Sequence, residues 1–401
     1  MINRKILFGL VVIGLLCSFV IPRHAGAIPA FARQYKISCT TCHDPFPRLK
    51  PYGEEFAGNG FILKEDLNPR DFITAGDPIL FLNRTFPIAV RFDAFGVYEQ
   101  DAEVETDLET PWGVKLLSGG PLYRNIGYYF YFYLSERGEV AGIEDAYIHF
   151  DNIFKTNLDV MVGQFQTSDP LMKRELRLTF EDYVFYTTRI GESSVNLTYD
   201  RGIMLAYGID KSRTDMVALV GNGNGKGAAD EETGKFDKDK YKNFALRLKQ
   251  DVMNISGLGV YFYYGKEKLG YQIFTEAGPL TQSYDNVTTY IGPDLNFNIG
   301  KFAFTGSYLI RNDTEPIHNV KDINSSGLVA EVIFAPQMDK SRYYITGLYN
   351  LVDSDLNEYD YESGTISGSY LVARNLRLIG EVTRNFRQNI NRAVVGLGTA
   401  F

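Results

Sequence analysis

The chain has 401 residues, with 49 acidic against 41 basic side chains, a formal net charge of −8, and 27 Tyr and 28 Phe beside a single Trp. The acidic balance argues against nucleic acid as a partner. A mean hydropathy of −0.17 excludes a bundle of membrane helices but leaves a membrane β-barrel open, because lipid-facing and lumen-facing residues alternate and cancel along each strand.

Residues 1–27 read as a secretory signal. Arg4 and Lys5 begin it, an apolar run from Ile6 to Ile21 follows, and Ala25-Gly26-Ala27 supplies a small-residue cleavage site. The apolar run is short for a retained membrane span. Cys17 follows Leu16, where a lipoprotein signal wants a small residue, so lipidation is not expected. Cleavage would remove Arg4, Lys5, Arg23 and Cys17, leaving a more acidic chain whose only cysteines are Cys39 and Cys42.

Residues 39–43 read Cys-Thr-Thr-Cys-His, the attachment motif of a c-type haem. Two thiols separated by two residues on a helical turn match the two vinyl groups of one haem. The adjacent His43 then presents its imidazole to the iron from the proximal side. A disulfide between Cys39 and Cys42 would leave His43 unexplained. A zinc site needs about four ligands, and the mature chain offers only His149 and His318 besides. A thioredoxin-like pair would need a surrounding βαβ pattern, and none is visible. One covalent haem c, held by Cys39, Cys42 and His43, is therefore expected in a small segment, residues 28–80. Pro45, Pro47 and Pro51 restrict that segment to short helices.

The flanking residues carry a resemblance. Residues 28–61 read IPAFARQYKISCTTCHDPFPRLKPYGEEFAGNGF. They resemble the haem segment of the fused outer-membrane monohaem cytochrome-porins, the family that includes iron(II)-oxidising outer-membrane cytochromes. The likeness lies in Phe31 to Gln34, Cys39 to His43, Pro47 with Leu49, Tyr52-Gly53, and Phe56. It implies a barrel after the haem segment, electron transfer or iron(II) oxidation as the activity, extracellular Fe2+ as a donor, and a periplasmic cytochrome or other soluble carrier as partner. A weaker likeness to phosphate-selective porins lies in residues 143–152 and 158–165.

Residues 81–401 are expected to form an all-β, antiparallel outer-membrane barrel embedded in lipid. Runs of roughly ten alternating residues recur. In one of them Ile126, Tyr128, Phe130, Phe132 and Leu134 share a face opposite Gly127, Tyr129, Tyr131 and Tyr133. Similar runs begin near 86, 143, 157, 202, 214, 241, 257, 286, 301, 325, 341, 363, 376 and 391. Long breaks (99–110, 223–240, 312–323, 352–362) alternate with short ones (119–121, 151–156, 298–300, 336–340, 374–375), the pattern of extracellular loops and periplasmic turns. About 16 strands are expected, with 166–200 the hardest region to divide. The run 391–401 ends on Phe401, which resembles the signal read by outer-membrane assembly machinery. The many aromatics suit interfacial girdles, and no fixed-length repeat points to a solenoid or propeller.

A haem segment this small cannot shield its cofactor alone, so it is expected to sit in or against the barrel lumen. No Met lies within residues 28–160. The alternation from Ile143 to Phe150 turns Asp145, Tyr147 and His149 inward near the periplasmic mouth, and on the next run Met161 shares that face with Asp159. His149 or Met161 can serve as distal ligand, or the iron can be five-coordinate. His318 falls in a long loop. Arg33 and Arg48 lie near enough in sequence to meet haem propionates. The motif-like GNGNGKG at 221–227 lacks the Ser or Thr of a phosphate loop. Acidic stretches at 99–109 and 353–362 are solvated surface or cation collectors. Two functions follow: an electron conduit across the membrane, or a diffusion porin, anion-selective if basic residues line its lumen, whose haem is a structural plug or redox sensor.

Overall fold

The computed structural model describes residues 30–63, 72–77, 79–84, 86–252, 256–275 and 278–401. The expected signal peptide lies outside the described residues. At the N-terminus come α1 (Ala30–Tyr35), α2 (Cys39–Cys42) and α3 (Pro51–Gly58), then a two-stranded ribbon of β1 (Phe72–Ile73) and β2 (Leu82–Asn83). Sixteen antiparallel strands follow and close on themselves. The first six are β3 (Ile88–Glu99), β4 (Thr106–Tyr123), β5 (Ile126–Glu136), β6 (Gly142–Ile153), β7 (Leu158–Gln166) and β8 (Tyr199–Ile209), and the last is β18 (Ile390–Ala400). Each pairs with its sequence neighbour, and β18 pairs with β3. Phe401 completes the seam: its backbone N–H donates to the Val90 carbonyl at 2.8 Å and its carbonyl accepts from Val90 at 2.7 Å. Closure leaves no strand edge, the condition for sheet structure in hydrocarbon.

Alternation sorts the two faces. On β5, Tyr131 and Tyr133 are 5% and 1% exposed toward the lumen while Leu134 is 44% exposed outside; Tyr344 and Ile345 split the same way, at 1% and 47%. Short turns at 124–125, 154–157, 210–213, 300–301 and 374–375 share one end, and loops such as 100–105, 137–141, 222–242 and 314–322 share the other. The short-turn end is the periplasmic one.

Three expectations change. One strand is absent from the alternating runs, Thr106–Tyr123. Pro111, Trp112 and the pair Gly119-Gly120 interrupt its period, and register shifts mark it against both neighbours. The break expected at 119–121 lies inside that strand, and the turn falls at 124–125. Asp107 and Glu109, expected in an acidic loop, lie on the strand as well.

Residues 167–198 are neither strands nor an outer loop. They fold into the lumen and carry the short helix α4 (Val184–Thr187). Leu171, Met172, Phe185, Tyr186, Val195 and Leu197 form one buried core with Leu309, Val329, Leu348 and Val352 of the opposite wall. Gly327 makes room, since a Cβ there would lie 1.9 Å from the Phe185 ring. A charged anchor holds the segment. Arg311, 0% exposed, donates to the carbonyls of Thr188 and Val195 at 3.0 and 3.1 Å and pairs with Asp313 at 2.5 Å. Glu381 accepts from the backbone of Phe180 and Glu181, and Glu267 accepts from Ser193 and Ser194. Buried charges survive only when paired in this way.

Candidate haem-attachment site and the lumen wall

Ser38 starts the attachment helix. Its side chain accepts from the Thr40 backbone N–H at 3.3 Å, and the His43 N–H closes the turn on the Cys39 carbonyl at 2.9 Å. Pro51 opens α3, where its missing N–H is not needed. Gly53 lets α3 lie directly on α2: a Cβ there would sit 2.3 Å from the Cys42 carbonyl oxygen. Phe31, Tyr35, Leu49, Phe56 and Phe61 gather around Cys42 as a small apolar core.

His43 is oriented as a metal ligand. Its Nδ1 donates to the carbonyls of Pro47 at 2.9 Å and Arg48 at 3.2 Å. A carbonyl only accepts, so Nδ1 carries the proton and Nε2 is left with its lone pair, the arrangement that fixes ligating histidines. Burial lowers the His43 pKa, which keeps the ring neutral near pH 7, and burial raises both the Cys39 and Cys42 thiols. The donor set fits a c-type haem. Two further buried groups suit such a cofactor: Arg48 Nη1 has no hydrogen-bond partner, which suits a carboxylate, and neither ring nitrogen of His149 has one.

The segment rests across the short-turn mouth of the barrel. Gly60 touches Gly127 of β5, and the Phe61 ring stacks on Tyr129 at 4.8 Å. On the opposite wall, Tyr344 donates to the Phe46 carbonyl at 3.1 Å, Arg48 donates to Thr305 at 3.2 Å, and Lys50 pairs with Asp339 at 3.4 Å. From inside the lumen, Lys173 of the infolded segment reaches Glu54 at 3.0 Å.

His149 faces inward on β6 at 2% exposure, beside Gly60. Met161 is its cross-strand partner on β7, and packs against the core of the infolded segment instead. His318 lies in the loop 314–322 at the other end, stacked on Tyr271 at 3.7 Å. No cluster of three or more His, Cys, Asp or Glu suited to a bare metal ion occurs among the described residues.

Sequence reasoning passed over the lumen wall above the segment. There Lys115 sits 4.2 Å from the Tyr133 ring centre and 5.3 Å from that of Trp112, and pairs with Glu175 at 3.2 Å. Although burial opposes it, the charge of Lys115, Arg177, Arg174 and Arg91 holds the Glu175 carboxyl below the usual carboxylate range. Three alternate tyrosines on β5 were the available signal.

No protein-family model matches the chain, and no curated protein sequence does. Solved structures do. A loop-deletion mutant of OmpT from Vibrio cholerae is 12% identical with a TM-score of 0.56, over 79% of this chain and 99% of that one. An anion-selective porin from Comamonas acidovorans is 11% identical with a TM-score of 0.53, again over 79% and 99%. OprB of Pseudomonas putida is 10% identical with a TM-score of 0.52, over 79% and 94%. At such identities the likeness shows the fold. The chain has the closed sixteen-stranded antiparallel barrel fold of the outer-membrane porins.

Proposed function

We propose that this chain is a monohaem c-type cytochrome fused to its own outer-membrane barrel, of the iron-oxidising outer-membrane cytochrome-porin kind, and that it carries electrons between an extracellular donor such as Fe2+ and a soluble periplasmic carrier. The observation that carries the reading is His43. Beside two cysteines spaced for thioether attachment, its Nδ1 is tied down by two carbonyls and its Nε2 is left to bind iron. A haem held there supplies a one-electron couple. Cys39 and Cys42 would anchor it, His43 would ligate its iron, Arg48 would pair with a propionate, and His149 is the candidate for a second ligand beside the segment. A site at the short-turn mouth supports exchange with a soluble periplasmic carrier. The infolded segment fills the middle of the lumen, which favours passage of electrons over passage of solutes. An export signal at residues 1–27 belongs to the same reading, because haem is attached outside the cytoplasm.

A second reading, a diffusion porin whose haem plugs or senses, draws support from the likeness to an anion-selective porin. Pigment chemistry tests the common premise. Purified protein, denatured and extracted with acidic organic solvent, is expected to keep its haem absorbance on the polypeptide, and a Cys39→Ser, Cys42→Ser variant to lose it. A colourless denatured wild type would remove the redox reading and leave a channel.

A further inference from the structure

Three cationic side chains are buried among the described residues: Lys115, Arg311 and Arg377. The first two pair with Glu175 and Asp313. Arg377 is 4% exposed on β17 (Leu376–Asn385) and pairs with no carboxylate among the described residues. Its Nη1 donates to the Leu178 carbonyl of the infolded segment and to the Tyr344 hydroxyl, both at 3.3 Å, while its Nε has no partner. Three hydroxyls on the same wall also lack partners. Thr346 of β15 (Tyr343–Ser354) stands directly opposite Ser367 of β16 (Tyr361–Ala373), and Ser369, the next inward residue of β16, stands opposite Tyr344. Thr346 and Ser367 are 1% exposed and Ser369 5%, yet none of the three oxygens has a hydrogen bond. Opposite residues on one face of a sheet lie about 5 Å apart and diagonal ones about 7–8 Å. Arg377 opposes Leu371, beside Ser369, and reaches across β16 to Tyr344. Its guanidinium therefore ends among these hydroxyls. Leu178 covers the place from the lumen, packed with Ile333, Ala335 and Leu371. The carboxylate facing Ser367, that of Glu381, already accepts from the backbone of Phe180 and Glu181.

A buried charge persists when it is paired. Water completes buried hydroxyls, but it does not neutralise a guanidinium. A guanidinium with hydroxyl donors beside it matches the oxygens of a carboxylate or phosphate. We infer that Arg377, Thr346, Ser367 and Ser369 form a binding site for one oxyanion, a phosphate or carboxylate group, enclosed between the infolded segment and β15–β17. The anion matches the charge of Arg377 and accepts from the hydroxyls. It also steadies the infolded segment, because the same guanidinium holds the Leu178 carbonyl. Two sources share this chemistry: a free anion that enters from the lumen, and a propionate of the attached haem. The second is in question because Tyr344, which accepts from Arg377, donates to the Phe46 carbonyl, so the site borders the N-terminal segment. The inference goes beyond the electron-transfer reading and stands on side chains that are present with or without a haem.

The test titrates inorganic phosphate into the full-length protein in detergent, exchanged into anion-poor buffer. Binding is read by calorimetry and by the melting temperature, which rises as a ligand fills a site in the folded state. In the haem-free Cys39→Ser, Cys42→Ser protein, one phosphate is expected to bind and to raise the melting temperature. In that background Arg377→Met is expected to weaken binding at least about tenfold, as the loss of a charged hydrogen bond does. Ser367→Ala with Ser369→Ala keeps the cation and is expected to weaken binding as well, which guards against an Arg377 variant that does not fold. Lys238→Met, in an outer loop, is expected to leave binding unchanged. Equal binding in the haem-bearing wild type assigns the site to a free anion; binding in the haem-free protein alone assigns it to a propionate. No phosphate binding in either protein, or an affinity that both the Arg377 and the serine variants leave intact, would overturn the site and leave water beside the hydroxyls. A wild type without haem would remove the propionate source and the redox reading, while the phosphate titration would still decide the site.

Discussion

The carbonyl oxygen of Gly60 occupies the space a side chain on Gly127 would need: a Cβ there would lie 2.2 Å from it. The N-terminal segment is thereby docked on β5 through two bare backbones, with Phe61 clamped on Tyr129 beside them. Gly127→Ala is expected to push the segment off the wall and to cost about 1–3 kcal/mol of stability through overpacking. Limited proteolysis should then cut within residues 30–63 faster than in the wild type. Unchanged cleavage would show that the segment is not held by this contact.

Arg311 holds the infolded segment by two backbone carbonyls while its charge is matched by Asp313. Arg311→Met removes both and strands a buried carboxylate, a loss of about 3–5 kcal/mol by analogy with broken buried pairs. Because the same change loosens a segment that Glu381 and Glu267 still hold, conductance in planar bilayers is expected to rise above the wild-type level. A conductance equal to that of the wild type would mean that Arg311 does not keep the segment in place.

His149 is predicted to ligate the distal side of the haem. In His149→Ala, covalent pigment should remain at the wild-type amount, since attachment depends on Cys39 and Cys42. The spin state read by electron paramagnetic resonance should shift from low to high. An identical spectrum would return His149 to the role of a lumen-lining side chain. The matching change at Met161 should leave the spectrum alone.

Asp169, at the start of the infolded segment, gives a pH dependence. Burial pushes its carboxyl up to about 7; Lys173 pulls it back, and Glu54 and Glu175 add to the rise. The folded chain keeps a proton there that the unfolded chain releases near 3.8. Folding stability from this group therefore falls as pH rises from about 4 to 7 and levels off above. Thermal melting of Asp169→Asn should lack that part of the pH dependence and should exceed the wild type most at pH 8. Parallel melting curves at both ends of the range would contradict it.

What the sequence showed in advance divides along physical lines. The Cys39–His43 motif was legible as a local unit because two residues between the cysteines set both thiols on one helical turn, which α2 forms. Most strands were legible because a wall between lipid and lumen imposes a period of two, clearest in Gly127 to Leu134. Thr106–Tyr123 hid because Pro111 and Gly119-Gly120 break that period. Residues 167–198 hid for a different reason: a segment buried on all sides inside a lumen has no alternating face. Its anchors, Arg311 with Thr188 and Glu381 with Phe180, join residues more than a hundred positions apart. The aromatic wall was visible as Tyr129, Tyr131 and Tyr133, but its continuity with Trp112 needed the register of β4 against β5.

Electron passage through the intact barrel tests the central claim most directly. Protein oriented in sealed vesicles around a redox dye would receive Fe2+ from outside, and dye reduction would be timed for the wild type and for His43→Ala. Fast reduction by the wild type with little or none in the variant is the predicted result. Equal rates in the two, or no reduction by a wild type that carries its haem, would contradict the account.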